Sequence, residues 1–177
     1  MTVEALRRRR PQTLADLLDA HGREIQAVAF LILRDRLAAE DVTIETLLTA
    51  FEKGGSIRED AAVRAWLLKV ATNKALALRR RGARLVGLEL VPERAAAGDL
   101  AGEAASHVAL IAEVAELPPA MRAAVVLRYY SDLPVEAVAA ALGKSPNTIK
   151  AQLQTALDRL RRSLADPTAP VTEARHA

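Results

Sequence analysis

The stretch that decides the fold reads PVEAVAAALGKSPNTIKAQLQTALDRLRR (residues 134–162). A short helix is predicted to run from the proline to the small residues at 139–141, and Gly143 supplies the left-handed conformation that a sharp turn needs. Ser145 then provides an N-cap before Pro146, which the first turn of a helix tolerates. Apolar residues follow at intervals of three and four, as in one face of a longer helix. The pattern predicts a helix-turn-helix.

The second helix of this motif has a polar face opposite its apolar stripe. On a helical wheel the outward positions hold Asn147, Thr148, Ala151, Gln154 and Thr155, with Lys150 and Gln152 on the flanks. Amide side chains can pair with adenine, and lysine reaches guanine or phosphate, so DNA binding is favoured. An ordinary helical hairpin remains the alternative for this stretch taken alone.

The remainder of the chain also has the composition of a helical protein. Of its 177 residues, 51% are hydrophobic but only 3% are aromatic, a mixture that favours helices over strands. Apolar periodicity predicts helices over 13–33, 36–53 and 60–82, with Asp35 and Asp60 as N-caps. The predicted inward stripe of the second helix is Val42, Ile44, Leu47, Leu48 and Phe51. The chain is therefore predicted to be all-α.

The periodic segments divide into two small helical domains, residues 12–82 and residues 106–165. Between them, residues 83–105 mix glycine, proline, alanine and acidic residues without an apolar stripe, which is typical of a flexible linker. Residues 1–11 and 166–177 are expected to be disordered for similar reasons.

Charge follows the same division. The net charge is only +3, but residues 1–82 carry 15 Lys and Arg against 11 Asp and Glu, residues 83–120 carry 2 against 6, and residues 121–165 carry 7 against 3. Basic segments favour a polyanionic partner, because neutralising phosphates releases counterions. Solvated helix faces would give the same pattern, so charge alone leaves both interpretations open.

Several classes of protein are disfavoured. The absence of cysteine excludes a disulfide framework and a thiolate metal site, and the three histidines are scattered. No catalytic triad, metal cluster or phosphate-binding glycine loop is present, so we expect neither an enzyme nor a cofactor. The longest apolar run, residues 27–33, is too short to span a bilayer, and no apolar segment follows the arginines at 7–10 as it would in a secretory signal. A cytoplasmic protein without membrane insertion is expected.

Two groups of motifs belong together. The second half of the chain contains LPPAMR (117–122), VLRYY (126–130) and NTIK (147–150). The first half contains AEDV (39–42) with Glu45 and Thr46, and RAWLLKVATN (64–73) followed by three arginines. The second-half group resembles region 4, and the first-half groups resemble regions 2.1/2.2 and 2.3/2.4, of the extracytoplasmic-function (ECF) sigma factors, the small two-domain initiation subunits of bacterial RNA polymerase. The resemblance covers residues 12–82 and 106–165, in the order that the family has.

The resemblance implies three sets of site residues. Contacts with core polymerase would involve Glu40, Asp41, Glu45 and Thr46. Contacts with the melted −10 promoter element would involve Arg64, Trp66, Lys69, Asn73, Arg79, Arg80 and Arg81, and the loop from Gly54 to Asp60 corresponds to the family's base-capturing loop. Contacts with the −35 element would involve Ser145, Asn147, Thr148, Lys150, Ala151, Gln152, Gln154 and Thr155. For Trp66, its place on the apolar stripe favours a core role over base stacking.

The function that the resemblance implies is promoter-specific initiation of transcription. Its partners would be core RNA polymerase, promoter DNA and an anti-sigma factor, since many relatives are held inactive by such a protein. Two alternatives are a helix-turn-helix regulator that acts without polymerase and a degenerate sigma-like module that binds only protein. The second helix of the motif has Gln152 and Thr155 where arginine is common in the family, which predicts weaker and less salt-dependent DNA binding.

Overall fold

The computed structural model describes residues 3–8, 10–85 and 103–165, and the regular elements in these ranges are all helical. The all-α, two-domain prediction is confirmed. The first domain contains α1 (Val3–Arg8), α2 (Pro11–Leu17), α3 (Arg23–Leu33), α4 (Arg36–Lys53) and α5 (Asp60–Leu85). The second contains α6 (Glu103–Glu116), α7 (Pro119–Val125), α8 (Val135–Leu142) and α9 (Pro146–Ala165).

Three shorter turns join or extend these helices. The π-helical turn Leu18–Gly22 connects α2 to α3 without a break, and a second π-helical turn, Val126–Tyr130, extends α7. A 3₁₀ turn, Gly54–Ser56, follows α4. The helix predicted over 13–33 is therefore present, and Gly22 is the last residue of its π-helical turn.

The predicted N-caps have different outcomes. Asp35 caps α4, because its Oδ1 accepts a hydrogen bond from the backbone N–H of Ala38 at 3.0 Å. Asp60 is the first residue of α5, and its Oδ1 instead accepts from the backbone N–H of Val3 at 2.7 Å. The carboxylate thus ties the start of α5 to the N-terminal helix.

The N-terminal residues are more ordered than the sequence predicts. Disorder was expected over residues 1–11, but Val3–Arg8 form α1, which buries Val3 and Leu6. A six-residue helix is not stable by itself in water, and the burial of these two side chains supplies the apolar contact that stabilises it. The tail at 166–177 and the linker from 86 to 102 lie outside the described residues, while α5 continues to Leu85 and α6 begins at Glu103.

The two domains pack against each other. One buried cluster lies within the first domain and includes Leu17, Ile25 and Leu67. A second cluster joins Ile32 and Leu68 of the first domain to buried residues of α7, α8 and α9. Helices α3 and α5 therefore bury apolar surface against the second domain, which the sequence analysis treated as a separate unit on a linker.

Candidate nucleic-acid and protein interface

The helix-turn-helix has the geometry that its sequence predicts. Helix α8 ends at Gly143, which has a φ of 64°, and the backbone N–H of Lys144 donates to the carbonyl of Ala139 at 3.0 Å. Ser145 Oγ then accepts from the backbone N–H of Thr148 at 3.1 Å, capping α9. A side chain at position 143 would be strained, because an L-residue rarely adopts this left-handed conformation.

The outward face of α9 is exposed as predicted, and four of its side chains already have partners, including the hydroxyls of Ser145 and Thr148, which lie 2.8 Å apart. Exposed positions are Ser145, Asn147, Thr148, Lys150, Ala151, Gln154 and Thr155. The Thr155 hydroxyl donates to the carbonyl of Ala151 at 3.0 Å, and the Gln154 amide donates to Asp158 at 3.3 Å. Asn147 and Lys150 are consequently the better placed side chains for reading bases and contacting phosphate.

Gln152 differs from the rest of this predicted set. It is only half-exposed, and its amide oxygen is buried without a hydrogen-bond partner in the described part of the chain. The flank position assigned to Gln152 is therefore partly turned towards the protein, and the side chain is a poor candidate for base contact.

The residues predicted for the −10 element lie on two faces of α5. With 3.6 residues per turn, Trp66, Lys69, Asn73 and Arg80 share one side of the helix. Lys69, Asn73 and Arg80 are exposed there, and Arg81 is exposed nearby. Three cations and one amide are thus exposed along this part of α5, and such side chains are suited to a nucleic-acid strand.

Arg64 and Arg79 lie on the other side of α5, where Arg64 bonds the second domain and Arg79 bonds α3. Arg64 forms a bidentate pair with Glu24, with Nε 2.9 Å from Oε2, and also donates to the carbonyl of Ser131 at 2.6 Å. Arg79 donates to the carbonyl of Ile32 at 3.1 Å. The expectation that both face the −10 element is corrected for this conformation, because their guanidinium groups are used inside the protein.

Trp66 is half-buried and packs against the core cluster of the first domain. This matches the core position that its place on the apolar stripe predicts.

The acidic residues predicted to contact polymerase lie on α4 in different environments. Asp41 and Glu45 are exposed, and Glu45 accepts from Lys74 Nζ at 2.8 Å. Glu40 is half-buried and accepts from Gln26 and Arg36 at 3.4 and 3.3 Å. Thr46 is fully buried, so its assignment as a surface contact is wrong.

Helix α4 also carries an exposed apolar stripe that the sequence analysis missed. Leu37, Ile44 and Leu48 are 75%, 58% and 45% exposed, and Asp41 lies between them at helical spacing. Ile44 and Leu48 are predicted to lie in the core, which is wrong, because α4 carries apolar residues on more than one side. The buried stripe consists of Ala39, Val42, Thr43, Thr46, Leu47 and Ala50. A full helical wheel with threonine counted as buried would have separated the two stripes.

Arg122 is a further residue whose role the sequence did not indicate. It is 4% exposed, and its guanidinium donates to the carbonyls of Ile32 at 2.8 Å, of Leu117 at 3.1 Å and of Ala115. Burial, together with the nearby charge of Arg79, lowers its pKa to about 10. The side chain thus joins the two domains through backbone acceptors of both.

Other classes of site are not found in the described ranges. No group of three or more histidine, aspartate or glutamate residues there could hold a metal ion. None of the helices in those ranges is both long enough and apolar enough to cross a membrane.

Comparison with known proteins connects both halves of the chain to one family. Residues 17–85 match Sigma-70 region 2, and residues 107–160 match Sigma-70, region 4. ECF RNA polymerase sigma factor SigL of Mycobacterium tuberculosis is 32% identical over 157 residues, covering 85% of this chain and 88% of SigL. The chain belongs to the ECF sigma factor family. Sigma factors are initiation factors without enzymatic activity, which agrees with the expectation that the chain is not an enzyme.

Two further relatives show how far this likeness extends. ECF sigma factor SigE of Mycolicibacterium smegmatis is 30% identical over 158 residues, which cover 85% of this sigma factor but only 61% of SigE. The sigma factor RpoE of Bartonella quintana, solved in complex with the anti-sigma factor NepR, shares the fold, with a TM-score of 0.74 and 23% identity over 85% of this chain and 96% of RpoE. This sigma factor thus has the two-domain fold of its family.

Proposed function

We propose that this sigma factor directs core RNA polymerase to promoters by using three separate surfaces. The observation that carries the proposal is the joint presence of regions 2 and 4 in one chain, each with an exposed polar helix face of its own. Its place of action is the cytoplasm, where bacterial RNA polymerase works.

The polymerase surface is the exposed side of α4. Asp41 and Glu45 supply charge, and Leu37, Ile44 and Leu48 supply apolar contact around them. An apolar centre with charged neighbours is the usual anatomy of a protein interface, because the apolar part contributes affinity and the charges contribute specificity. Glu40 belongs to the edge of this surface, since it is half-buried and already hydrogen-bonded.

The −10 surface is the exposed side of α5 together with the loop over residues 54–60. Lys69, Arg80 and Arg81 neutralise phosphates, and Asn73 offers a donor and an acceptor to a base edge. Separation of the domains would release only the Arg64 bond to the Ser131 carbonyl. The pair of Arg64 with Glu24 and the bond of Arg79 to Ile32 both lie within the first domain, so we leave the two arginines out of this surface.

The −35 surface is the N-terminal half of α9. Asn147 and Lys150 lie on its exposed face, next to the Ser145 cap, which accepts from the N–H of Thr148. This arrangement favours insertion into the major groove, with Asn147 reading a base and Lys150 contacting a base or phosphate.

An anti-sigma factor is a further proposed partner. The support is the solved relative RpoE, which is bound to the anti-sigma factor NepR. Exposed apolar residues on α4 offer such a protein a surface that competes with polymerase.

The test is transcription from purified components. The chain is added to core RNA polymerase with a fragment library of bacterial promoters, and transcripts are mapped. Defined start sites that share −10 and −35 sequences support the proposal. Binding to duplex DNA at a palindromic site without polymerase would support the alternative of an independent regulator, and binding to protein alone would support the degenerate module.

A further inference from the structure

The N-terminal helix α1 packs on the loop that precedes α5. This loop, residues 54–60, begins with the 3₁₀ turn Gly54–Ser56 and ends at Asp60, the first residue of α5. The match to Sigma-70 region 2 starts at residue 17, so α1 lies outside the matched part of the chain while the loop lies inside it. A segment added before region 2 therefore contacts one of its proposed DNA-binding elements.

Contacts with α1 hold both ends of the loop. The backbone N–H of Val3 donates to Asp60 Oδ1 at 2.7 Å, and Arg7 Nε donates to the carbonyl of Gly55 at 3.3 Å. Between them, the fully buried side chain of Leu6 covers Gly54, where an added Cβ would lie 3.1 Å from Leu6 Cδ1. One short helix thus fixes the beginning and the end of the loop at once.

The two glycines explain why the loop depends on a neighbour. A Cβ at Gly55 would lie 3.4 Å from Arg7 Cγ, so glycines at both positions allow α1 to approach closely. Glycine loses more conformational freedom on ordering than any other residue, and it has no side chain to pack. Within the loop the N–H of Ile57 donates to the carbonyl of Gly54 at 3.0 Å, and the contacts with α1 add to this local order.

We propose that α1 is a positioning element for this loop, holding residues 54–60 in the conformation that accepts an unstacked base of the −10 element. The inference rests on the proposed function of the loop. A flipped base is read by the shape and hydrogen bonds of its pocket, and a pocket that is ordered in advance discriminates between bases better than one that must order on binding. Loss of the α1 contacts then lowers base discrimination more than it lowers binding to polymerase.

The test uses the full chain with core RNA polymerase and promoters that carry each of the four bases at every −10 position. Open complexes are measured by permanganate reactivity, and polymerase binding by fluorescence anisotropy. At the captured position we expect the wild type to form open complex on one base about tenfold better than on the others, and Leu6→Ala to do so only about twofold better. The affinity of Leu6→Ala for core polymerase should differ from that of the wild type by less than about twofold. An unchanged preference in Leu6→Ala, or more open complex on every promoter, overturns the proposal.

Two controls separate positioning from general stability. Leu17→Ala removes an equally buried leucine from the same core cluster, and we expect it to lower the active fraction on all promoters alike and to keep the base preference. Asp60→Ala removes the acceptor of the Val3 N–H and should weaken the preference, whereas Asp60→Asn keeps an acceptor and should retain it. Equal loss of preference in Leu17→Ala and Leu6→Ala also overturns the proposal.

The measurements on the wild-type protein show whether a failure concerns the proposed function or only the role of α1. If the wild type fails to bind core polymerase, or opens promoters without preference at any −10 position, the proposed function fails and the role of α1 fails with it. If the wild type shows a preference and Leu6→Ala retains it, only the role of α1 is wrong.

Discussion

Arg79 of α5 and Arg122 of α7 donate to the same carbonyl oxygen, that of Ile32 in the last turn of α3, at 3.1 and 2.8 Å. Carbonyls in the last turn of a helix lack an intrahelical partner, and cations are favoured at this end of the helix dipole. The two guanidinium groups repel each other, and the charge of Arg79 is one cause, after burial, of the lowered pKa of Arg122. The second domain is thus bonded to the first through Arg122 at the end of α3, although Arg122 and Arg79 repel each other.

Replacing Arg122 with alanine should destabilise the protein strongly. The change leaves the carbonyls of Ala115 and Leu117 without this donor, and Ile32 keeps only Arg79. Unsatisfied buried polar groups cost about 1–3 kcal/mol each, so we expect the free energy of unfolding to fall by about 3 kcal/mol in urea titrations. Arg161→Ala, which removes an exposed arginine paired with Asp158, should change it by less than about 0.5 kcal/mol. A loss below about 1 kcal/mol for Arg122→Ala would mean that its hydrogen bonds are readily replaced by water.

Replacing Glu24 with glutamine should favour separation of the domains. Glu24 orients Arg64 towards the Ser131 carbonyl, but the pair is partly exposed, so its contribution to domain packing is at most about 1 kcal/mol. The ratio of molecules with packed domains to molecules with separated domains should therefore fall by up to about fivefold. The chain has no cysteine, so Ala20→Cys and Arg162→Cys provide two sites for dyes, and energy transfer between them reports domain separation.

The matched control for this experiment is Glu4→Gln, which removes an exposed pair with Arg8 on α1. It should leave the energy transfer unchanged. Equal efficiencies in wild type, Glu24→Gln and Glu4→Gln would show that the Arg64 contact does not hold the domains together.

Replacing Lys150 with alanine should weaken binding to duplex DNA that contains the −35 element. Removing one phosphate contact should reduce the slope of log affinity against log salt by about 1, and affinity should fall on all sequences alike. Asn147→Ala should instead relax the preference at one base pair by about 1–3 kcal/mol. The measurement is a salt series of fluorescence anisotropy titrations, with Arg36→Ala on α4 as a control for lost positive charge.

Replacing Ile44 with serine should weaken binding to core polymerase without affecting the fold. Ile44 is 58% exposed, so its loss should change the free energy of unfolding by less than about 0.5 kcal/mol. Loss of an apolar residue from the centre of an interface costs more than about 1 kcal/mol, so the Kd for core polymerase should rise about tenfold. Leu18→Ser is the matched control, because Leu18 is 52% exposed and lies on the π turn before α3 instead of on α4. Equal effects of both changes would place the polymerase contact elsewhere.

Acidification should destabilise the protein through His21. Burial is the first cause that lowers the pKa of His21 from its ordinary value of 6.5, and the charge of Arg64 lowers it further. His21 in the unfolded chain therefore binds a proton more readily than His21 in the folded chain. The stability of the fold that depends on neutral His21 is intact above pH 6.5 and is lost as the pH falls below it. The Tm of the wild type should fall more steeply between pH 7 and 5 than that of His21→Asn, measured by circular dichroism. Parallel curves would assign the acid sensitivity to other groups.

Local rules predicted most of the secondary structure. The Asp35 and Ser145 caps and the Gly143 turn involve residues within a few positions of each other, so their physics is contained in short stretches of sequence. The same holds for the exposed positions of Asn147 and Lys150 on α9, since one clear apolar stripe sets the orientation of that helix. On α4, where apolar residues lie on several sides, the stripe was ambiguous and Ile44 was placed wrongly.

The amino-acid sequence by itself determined that the chain is all-α, that it has two domains in the order of its family, and where its helix-turn-helix lies. Only the tertiary structure decided that Arg64 bonds the second domain, that Arg79 bonds the end of α3, that Thr46 is buried, and that α1 is ordered. The physical reason is distance along the chain: Arg64 bonds Ser131 and Val3 bonds Asp60 across 67 and 57 positions. Periodicity and capping act over one or two turns of helix and carry no information about such partners.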